Sequence, residues 1–88
     1  MTASYRVVIN KSAERELRAL PKEDLRRIAD RIGSLAQNCR PHGNEKLSGE
    51  KRYRIRQGDF RIVYAIDDEA RIVEIVKIGH RREVYRKK

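Results

Sequence analysis

The sequence predicts an α+β fold in which two helices pack on one face of an antiparallel β-sheet. Up to about residue 36 the apolar residues recur every three or four positions, whereas after residue 51 they recur at every second position. The first period is typical of amphipathic helices and the second of half-buried strands. With one strand at the start, the predicted order is βααβββ, in a single domain that spans residues 1–88.

The first half of the chain is predicted to contain one strand and two helices. Residues 5–9 (YRVVI) alternate well enough for a strand. Ser12 is predicted to cap the first helix, and Pro21 to end it, because proline suits the first turn of the helix that follows. Asn38 and Pro41 are predicted to end the second helix. That helix carries an apolar stripe made of Leu25, Ile28, Ala29, Ile32, Leu35 and Ala36.

The second half is predicted to form a three-stranded antiparallel meander. Its strands are residues 52–56, 60–66 and 71–78, which are rich in aromatic and β-branched residues. Residues 58–59 (GD) make a tight turn and residues 67–70 (DDEA) a second one. After the last strand we expect a short helical or irregular tail.

Alternation along these strands predicts that the helix-free face of the sheet is basic. Ile55 belongs to the face that meets the helices, so the arginines of the first two meander strands point away from it. A two-residue turn places Arg56 directly opposite Arg61, and like charges in that position destabilise a sheet. Arginine also binds phosphate through two parallel hydrogen bonds, which favours an anion site. The alternative is a solvated face whose arginine stems cover apolar surface.

The composition indicates a polyanionic partner. The net charge is +9 and the pI is near 10.2, which favours nucleic acid first, an acidic protein second and an anionic membrane surface third. No apolar run is long enough for a membrane span or a signal peptide, so we expect a cytoplasmic protein. Cys39 is the only cysteine, which agrees with a reducing compartment. His42 and His80 lack the short spacing of zinc ligands, so neither a metal nor a cofactor is expected.

Two segments of the chain resemble the RelE branch of the RelE/ParE toxins of bacterial toxin–antitoxin pairs. They are KLSGEKRYRIRQGDFRIVYAIDD, residues 46–68, and VKIGHRREVY, residues 76–85. The resemblance implies an endoribonuclease toxin that enters the ribosomal A site, contacts 16S rRNA and cuts mRNA. It also implies metal-independent attack by the RNA 2′-hydroxyl, which gives a 2′,3′-cyclic phosphate, and a cognate acidic antitoxin that silences the toxin.

The resemblance also assigns roles to individual residues. Arg54 and Arg56 match the basic pair on the first meander strand, and Arg61 matches the arginine that stabilises the scissile phosphate. Arg81 matches the arginine that assists the leaving oxygen. Tyr85 matches the tyrosine that stacks on or orients the nucleotide. The other residues expected to contact RNA are Lys46, Lys51, Arg52, Arg82 and Arg86.

The sequence does not identify the residue that acts as the general base. Well-studied RelE enzymes have lysine where this chain has Arg54 and Arg56, and arginine essentially cannot accept a proton. His80 is a candidate because an imidazole with a pKa near ~6.5 can take up a proton around neutral pH. Its alternative is an exposed histidine at a strand end. For Tyr85, the alternative to stacking on a base is closing the open edge of the core.

Two other functions fit the same fold or the same charge. The ParE branch of the family inhibits DNA gyrase instead of cutting RNA, and it generally lacks the combined basic and tyrosine set. A non-catalytic RNA-binding module would bind through the basic face, with an affinity that falls steeply with salt and without producing new 5′-hydroxyl ends.

Overall fold

The computed structural model describes residues 4–47 and 51–80, in which two helices accompany one five-stranded sheet. The strand order in the sheet is β1-β5-β4-β3-β2. This confirms the predicted α+β fold and adds one short strand, β2, inside the predicted loop. Neither helix of these two ranges is long and apolar enough to cross a bilayer. The elements are β1 (Arg6–Ile9), α1 (Lys11–Arg18), α2 (Lys22–Ser34), β2 (Glu45–Lys46), β3 (Arg52–Gln57), β4 (Phe60–Asp67) and β5 (Ile72–His80).

The first strand joins the sheet in a parallel orientation, which corrects the prediction of a wholly antiparallel sheet. Strand β1 pairs with β5 from Arg6 opposite Ile72 to Ile9 opposite Ile75. The remaining neighbours, from β2 to β5, are antiparallel. Tight turns fix the direction of the meander strands, but the two helices separate β1 from them, and a long crossover permits a parallel pair.

The ends of both helices differ from the prediction by a few residues. Asn10, not Ser12, caps α1: its side-chain oxygen accepts a hydrogen bond from the Ala13 backbone N–H at 2.8 Å. Pro21 lies between the helices as predicted, and α2 begins directly after it. Helix α2 ends at Ser34, whose hydroxyl donates to the carbonyl of Arg31 at 2.7 Å.

The core lies between the helices and one face of the sheet. Helix α2 contributes Ile28 and Ile32, and α1 contributes Ala13, all of them buried. Leu25 and Ala29, which belong to the predicted apolar stripe, are only partly buried or exposed, so the buried part of the stripe is narrower than predicted. The buried sheet residues that meet the helices are Ile55, Ile62, Tyr64, Ile66, Val73, Ile75 and Ile78.

The predicted hairpin between β3 and β4 is confirmed with its register. Gln57 pairs with Phe60 and Arg56 with Arg61. The turn between them needs a left-handed residue, and Gly58 supplies it with φ of 62°. The second predicted turn also forms: Asp67 pairs with Ile72, and the Asp67 carboxylate accepts a hydrogen bond from the Ala70 N–H at 3.0 Å.

A register shift between Val63 and Tyr64 interrupts the pairing of β4 with β5. Strand β5 is also held by a carboxylate from α1. Glu16 accepts hydrogen bonds from the Ile78 backbone N–H at 2.8 Å and from the Lys77 ammonium at 3.0 Å. This contact fixes α1 against β5.

Candidate active site

A cleft of about 330 Å³ opens beside β3, past the end of the short strand β2. We call it the arginine cleft, because four of the side chains that line it are arginines and one is a glutamate. With a neutral histidine, this lining carries a surplus of three positive charges, which favours an anionic ligand. The lining residues are Arg31, His42, Gly43, Glu45, Arg54, Ile55, Arg56 and Arg61.

Strand register brings three of the predicted catalytic residues together in this cleft. Arg56 and Arg61 lie directly opposite each other, and Arg54 is two residues before Arg56 on the same face of β3. Arg61 is only 7% exposed, and its Nη1 donates to the Phe60 carbonyl at 3.3 Å. Taking a guanidinium out of water is costly, so an anion bound beside Arg61 would interact with it strongly.

Glu45 provides a counter-ion inside the cleft. It lies opposite Arg54 on strand β2, and the Arg54 Nε donates to its carboxylate at 3.1 Å while Nη2 forms a second, closer contact with the same oxygen. The hydrogen bond from Arg54 holds the pKa of Glu45 below its ordinary value, so this carboxylate is charged at neutral pH. An incoming phosphate therefore competes with Glu45 for Arg54. The sequence prediction missed Glu45 because a two-residue strand shows no alternation.

The loop between α2 and β2 is attached to the core through a buried tyrosine. Tyr64 is 0% exposed, and its hydroxyl donates to the Cys39 carbonyl at 2.8 Å. Asn44 donates to the same hydroxyl at 3.4 Å. Burial raises the pKa of Tyr64, so the hydroxyl remains a donor at neutral pH. The loop that carries His42 and leads to Glu45 is thereby positioned beside the cleft.

The two histidines lie in different places. His42, to which the sequence assigns no role, lines the arginine cleft. His80 pairs with Phe60 on the face that meets the helices, and the two rings meet edge to face with centroids 5.8 Å apart. His80 lines a separate cavity together with Asp24 and Arg27 of α2. The structure therefore does not bring His80 into the cleft with the three arginines.

Lys46 and Lys51, predicted to contact RNA, line a third cavity of about 760 Å³. Tyr53 belongs to the same cavity, and the Arg40 guanidinium lies 5.4 Å from the centre of its ring. Arg52 is exposed on β3. In residues 4–47 and 51–80, no group of three or more histidine, cysteine or acidic side chains could hold a metal ion. The predicted residues Arg81, Arg82, Tyr85 and Arg86 lie outside the described residues.

Sequence comparisons connect this geometry to known proteins. Residues 7–85 match the family model described as the ParE toxin of the type II toxin–antitoxin system parDE. Toxin RelE of Mycobacterium tuberculosis is 36% identical over 84 residues, which cover 93% of this chain and 87% of the relative. Toxin RelG of the same organism is 31% identical over 87 residues, covering 94% of this chain and 98% of the relative.

Solved structures with the same fold include toxins in complex with their antitoxins. The toxin–antitoxin complex RelBE2 from Mycobacterium tuberculosis matches with a TM-score of 0.80 and 28% identity, covering 91% of this chain and 94% of that chain. The archaeal RelE–RelB complex from Pyrococcus horikoshii matches with a TM-score of 0.76 and 28% identity, covering 89% of this chain and 96% of that chain.

Proposed function

The chain belongs to the RelE/ParE family of toxins and is RelE-like, and from this we propose that it is an endoribonuclease that cuts mRNA on the ribosome. The observation that carries the proposal is the convergence of Arg54, Arg56 and Arg61 in one cleft. Three guanidinium groups on two paired strands can surround one phosphodiester from different sides. A purely structural sheet does not need Arg56 opposite Arg61, because that pair opposes folding.

In the proposed reaction, the nucleophile is part of the RNA. The 2′-hydroxyl oxygen attacks the adjacent phosphorus and forms a new O–P bond, and the bond from phosphorus to the 5′-oxygen of the next nucleotide breaks. The hydroxyl proton leaves to a base, and the departing oxygen gains a proton. The products are a 2′,3′-cyclic phosphate and a 5′-hydroxyl end. This reaction uses no metal ion.

The arginines act in this mechanism through charge. Negative charge accumulates on the phosphoryl oxygens in the transition state, and donors already aimed at that position lower the barrier. We assign the largest share to Arg61, because its burial places it in the least hydrated part of the cleft. Arg81 and Tyr85 keep their proposed roles at the leaving oxygen and at the nucleotide base. His80 as the general base stays a prediction, and His42 is the histidine that lines the cleft.

The proposed partners are the ribosome with its mRNA, in the cytoplasm, and a cognate acidic antitoxin. The net charge of +9 favours both, since each is anionic. Several relatives of the same fold have been solved as complexes of RelE with RelB, which supports an antitoxin for this chain as well. Contacts to RNA are proposed for Lys46 and Lys51 beside Tyr53, and for the exposed Arg52 on β3.

Expression of the chain in cells is expected to produce new mRNA ends within translated reading frames. Primer extension on total RNA would locate these ends. An end that carries a 5′-hydroxyl can be ligated only after it has been phosphorylated, which checks its chemistry. Because the reaction is proposed to occur on the ribosome, blocking translation initiation on the reporter mRNA should remove the ends. Growth arrest with intact mRNA would contradict the proposal.

The second candidate function is inhibition of DNA gyrase, which the ParE description of the matching family model favours. It predicts a DNA-damage response in expressing cells, without new mRNA ends. The convergence of arginines in one cleft favours RNA cleavage over this alternative. The two functions are therefore separated by measuring mRNA ends and DNA damage in the same culture.

Replacing Glu45 by glutamine is expected to tighten binding of RNA. The suitable probe is a ten-nucleotide RNA with every ribose 2′-O-methylated, which lacks the nucleophile and is not cut. Since Arg54 lowers the pKa of Glu45, the carboxylate competes with phosphate at pH 7, and its removal should increase affinity about two- to fivefold. Wild-type affinity should approach that of the variant only at a pH well below the ordinary pKa of a glutamate, because Arg54 lowers the pKa of Glu45 and keeps this carboxylate charged.

The matched control for this experiment is Glu23→Gln. Glu23 is exposed near the start of α2 and does not line the cleft, so its loss changes the net charge equally and leaves the contact between Glu45 and Arg54 intact. Equal affinities of the two variants for the methylated RNA would mean that Glu45 does not compete for the ligand.

A further inference from the structure

A fourth arginine reaches the arginine cleft from the helical layer. Arg31 belongs to α2 and lines the cleft together with the strand arginines. It lies three residues after Ile28 and one before Ile32, which are both buried in the core. A residue at that position lies on the flank of the buried helix face. Arg31 is accordingly half-buried, unlike the exposed Arg26 and Arg27 of the same helix.

One nitrogen of the Arg31 side chain is buried without a hydrogen-bond partner in the part of the chain that the structure describes. This nitrogen is the Nε. In residues 4–47 and 51–80 it is the buried side-chain nitrogen or oxygen atom that has no hydrogen-bond partner. Native proteins pair the large majority of their buried polar groups, so an exception calls for a reason. The aliphatic stem of arginine explains the apolar packing of this side chain. Methionine would pack equally well, so packing does not explain why the side chain ends in a buried guanidinium nitrogen.

The charge distribution in the cleft indicates which ligand would supply the acceptor. Among the described residues that line the cleft, Glu45 is the only acidic one, and it is already hydrogen-bonded to Arg54. A bound molecule that supplies an acceptor to Arg31 would also be attracted by the other guanidinium groups of the cleft. Phosphate meets this condition, because its oxygens accept from more than one arginine at once.

We infer that Arg31 is a phosphate-binding residue, which donates from α2 to the same RNA linkage that Arg54, Arg56 and Arg61 hold from the sheet. This inference rests on the proposed function. It places the RNA at the outer edge of β3, where helix and sheet both reach it, and not flat on the helix-free face. A ligand held from two layers is fixed in two directions, which suits a reaction that requires the attacking and departing oxygens to be in line.

The test compares Arg31→Met with Arg26→Met, using the fully 2′-O-methylated ten-nucleotide RNA as the probe. Each variant loses one positive charge from α2, but Arg26 is exposed and does not line the cleft. We expect Arg31→Met to weaken binding about tenfold and to reduce the slope of log Kd against log salt by about 0.7, the value for one lost phosphate contact. Arg26→Met should leave both nearly unchanged. The thermal midpoint of Arg31→Met should be maintained or raised, because methionine fills the space without a buried unpaired donor.

A second measurement follows the surroundings of the Arg31 guanidinium when RNA binds. In ¹⁵N-labelled protein, the Nε–Hε resonance of Arg31, assigned through its absence in Arg31→Lys, should shift when the methylated RNA is added. The resonance of Arg26 should not. Equal affinities and slopes for the two methionine variants, or an unmoved Arg31 signal in protein saturated with RNA, would overturn the inference.

The outcomes distinguish this inference from the proposed function. RNA that shifts the Arg31 signal, combined with no mRNA cleavage on ribosomes, would overturn the enzymatic activity and support the phosphate contact. Cleavage on ribosomes would support the enzymatic activity. If Arg31→Met at the same time lost neither affinity nor salt dependence, the phosphate contact would be overturned. RNA that shifts no resonance of the protein would overturn the phosphate contact, and the cleavage assay on ribosomes would then decide the proposed function by itself.

Discussion

Replacing Arg61 by methionine is expected to slow mRNA cleavage about 10²- to 10³-fold and to abolish growth arrest. Arg61 is the buried member of the arginine cleft, so its charge acts on the transition state with little screening by water. Methionine is preferred to alanine because it fills most of the space that the arginine stem occupies. Methionine keeps the apolar contacts that the arginine stem makes, so the fold should survive the change.

The measurements are the cleavage rate on programmed ribosomes and the growth of expressing cells, with thermal unfolding as the check on folding. Arg15→Met is the matched control, because Arg15 is exposed on α1 and does not line the cleft, and its loss changes the net charge by the same amount. A folded Arg61→Met variant that still arrests growth as the wild type does would remove Arg61 from the reaction.

Replacing Tyr64 by phenylalanine is expected to lower the free energy of unfolding by about 1–3 kcal/mol. The change removes only the hydroxyl, which donates to the Cys39 carbonyl in the buried core. That carbonyl would lose its donor in surroundings that water does not readily reach. Because this bond attaches the loop with His42 and Glu45 to the core, the variant should also cleave mRNA more slowly than the wild type.

Urea unfolding provides the measurement, and Tyr5→Phe provides the control. The Tyr5→Phe change also removes one hydrogen bond, from the Tyr5 hydroxyl to Asp68 at 2.7 Å, but this contact is exposed and water can replace it. Its loss should therefore lower the urea midpoint less. If Tyr64→Phe unfolded at the same urea concentration as the wild type, the buried hydroxyl would not be what holds the loop.

The sheet was largely predictable because short-range rules determine it. A two-residue turn leaves one register for the hairpin, so Arg56 opposite Arg61 followed from the spacing between Gln57 and Phe60. Strict alternation then assigned the side chains to faces. The direction of β1 could not be obtained in this way, since two helices and three strands lie between that strand and β5 in the chain, and local rules do not act over such a distance.

The candidate site was predictable only where it lies on the regular strands. Arg54, Arg56 and Arg61 were identified from alternation, whereas Arg31 and Glu45 come from elements whose approach depends on tertiary packing. Arg31 lies outside the predicted apolar stripe of α2, and a helix period does not show which flank of the helix a neighbouring layer covers. Glu45 belongs to a strand of two residues, too short to produce a period.

The two borders of the sheet differ in their tendency toward self-association. Strand β2 is only two residues long and ends at the arginine cleft, and a short border flanked by like charges is a poor template for a second chain. Strand β1 forms the opposite border, where Val8 is 38% and Ile9 36% exposed. Aggregation of concentrated protein would accordingly begin along β1, and a lysine introduced there would improve solubility without touching the arginines of β3 and β4.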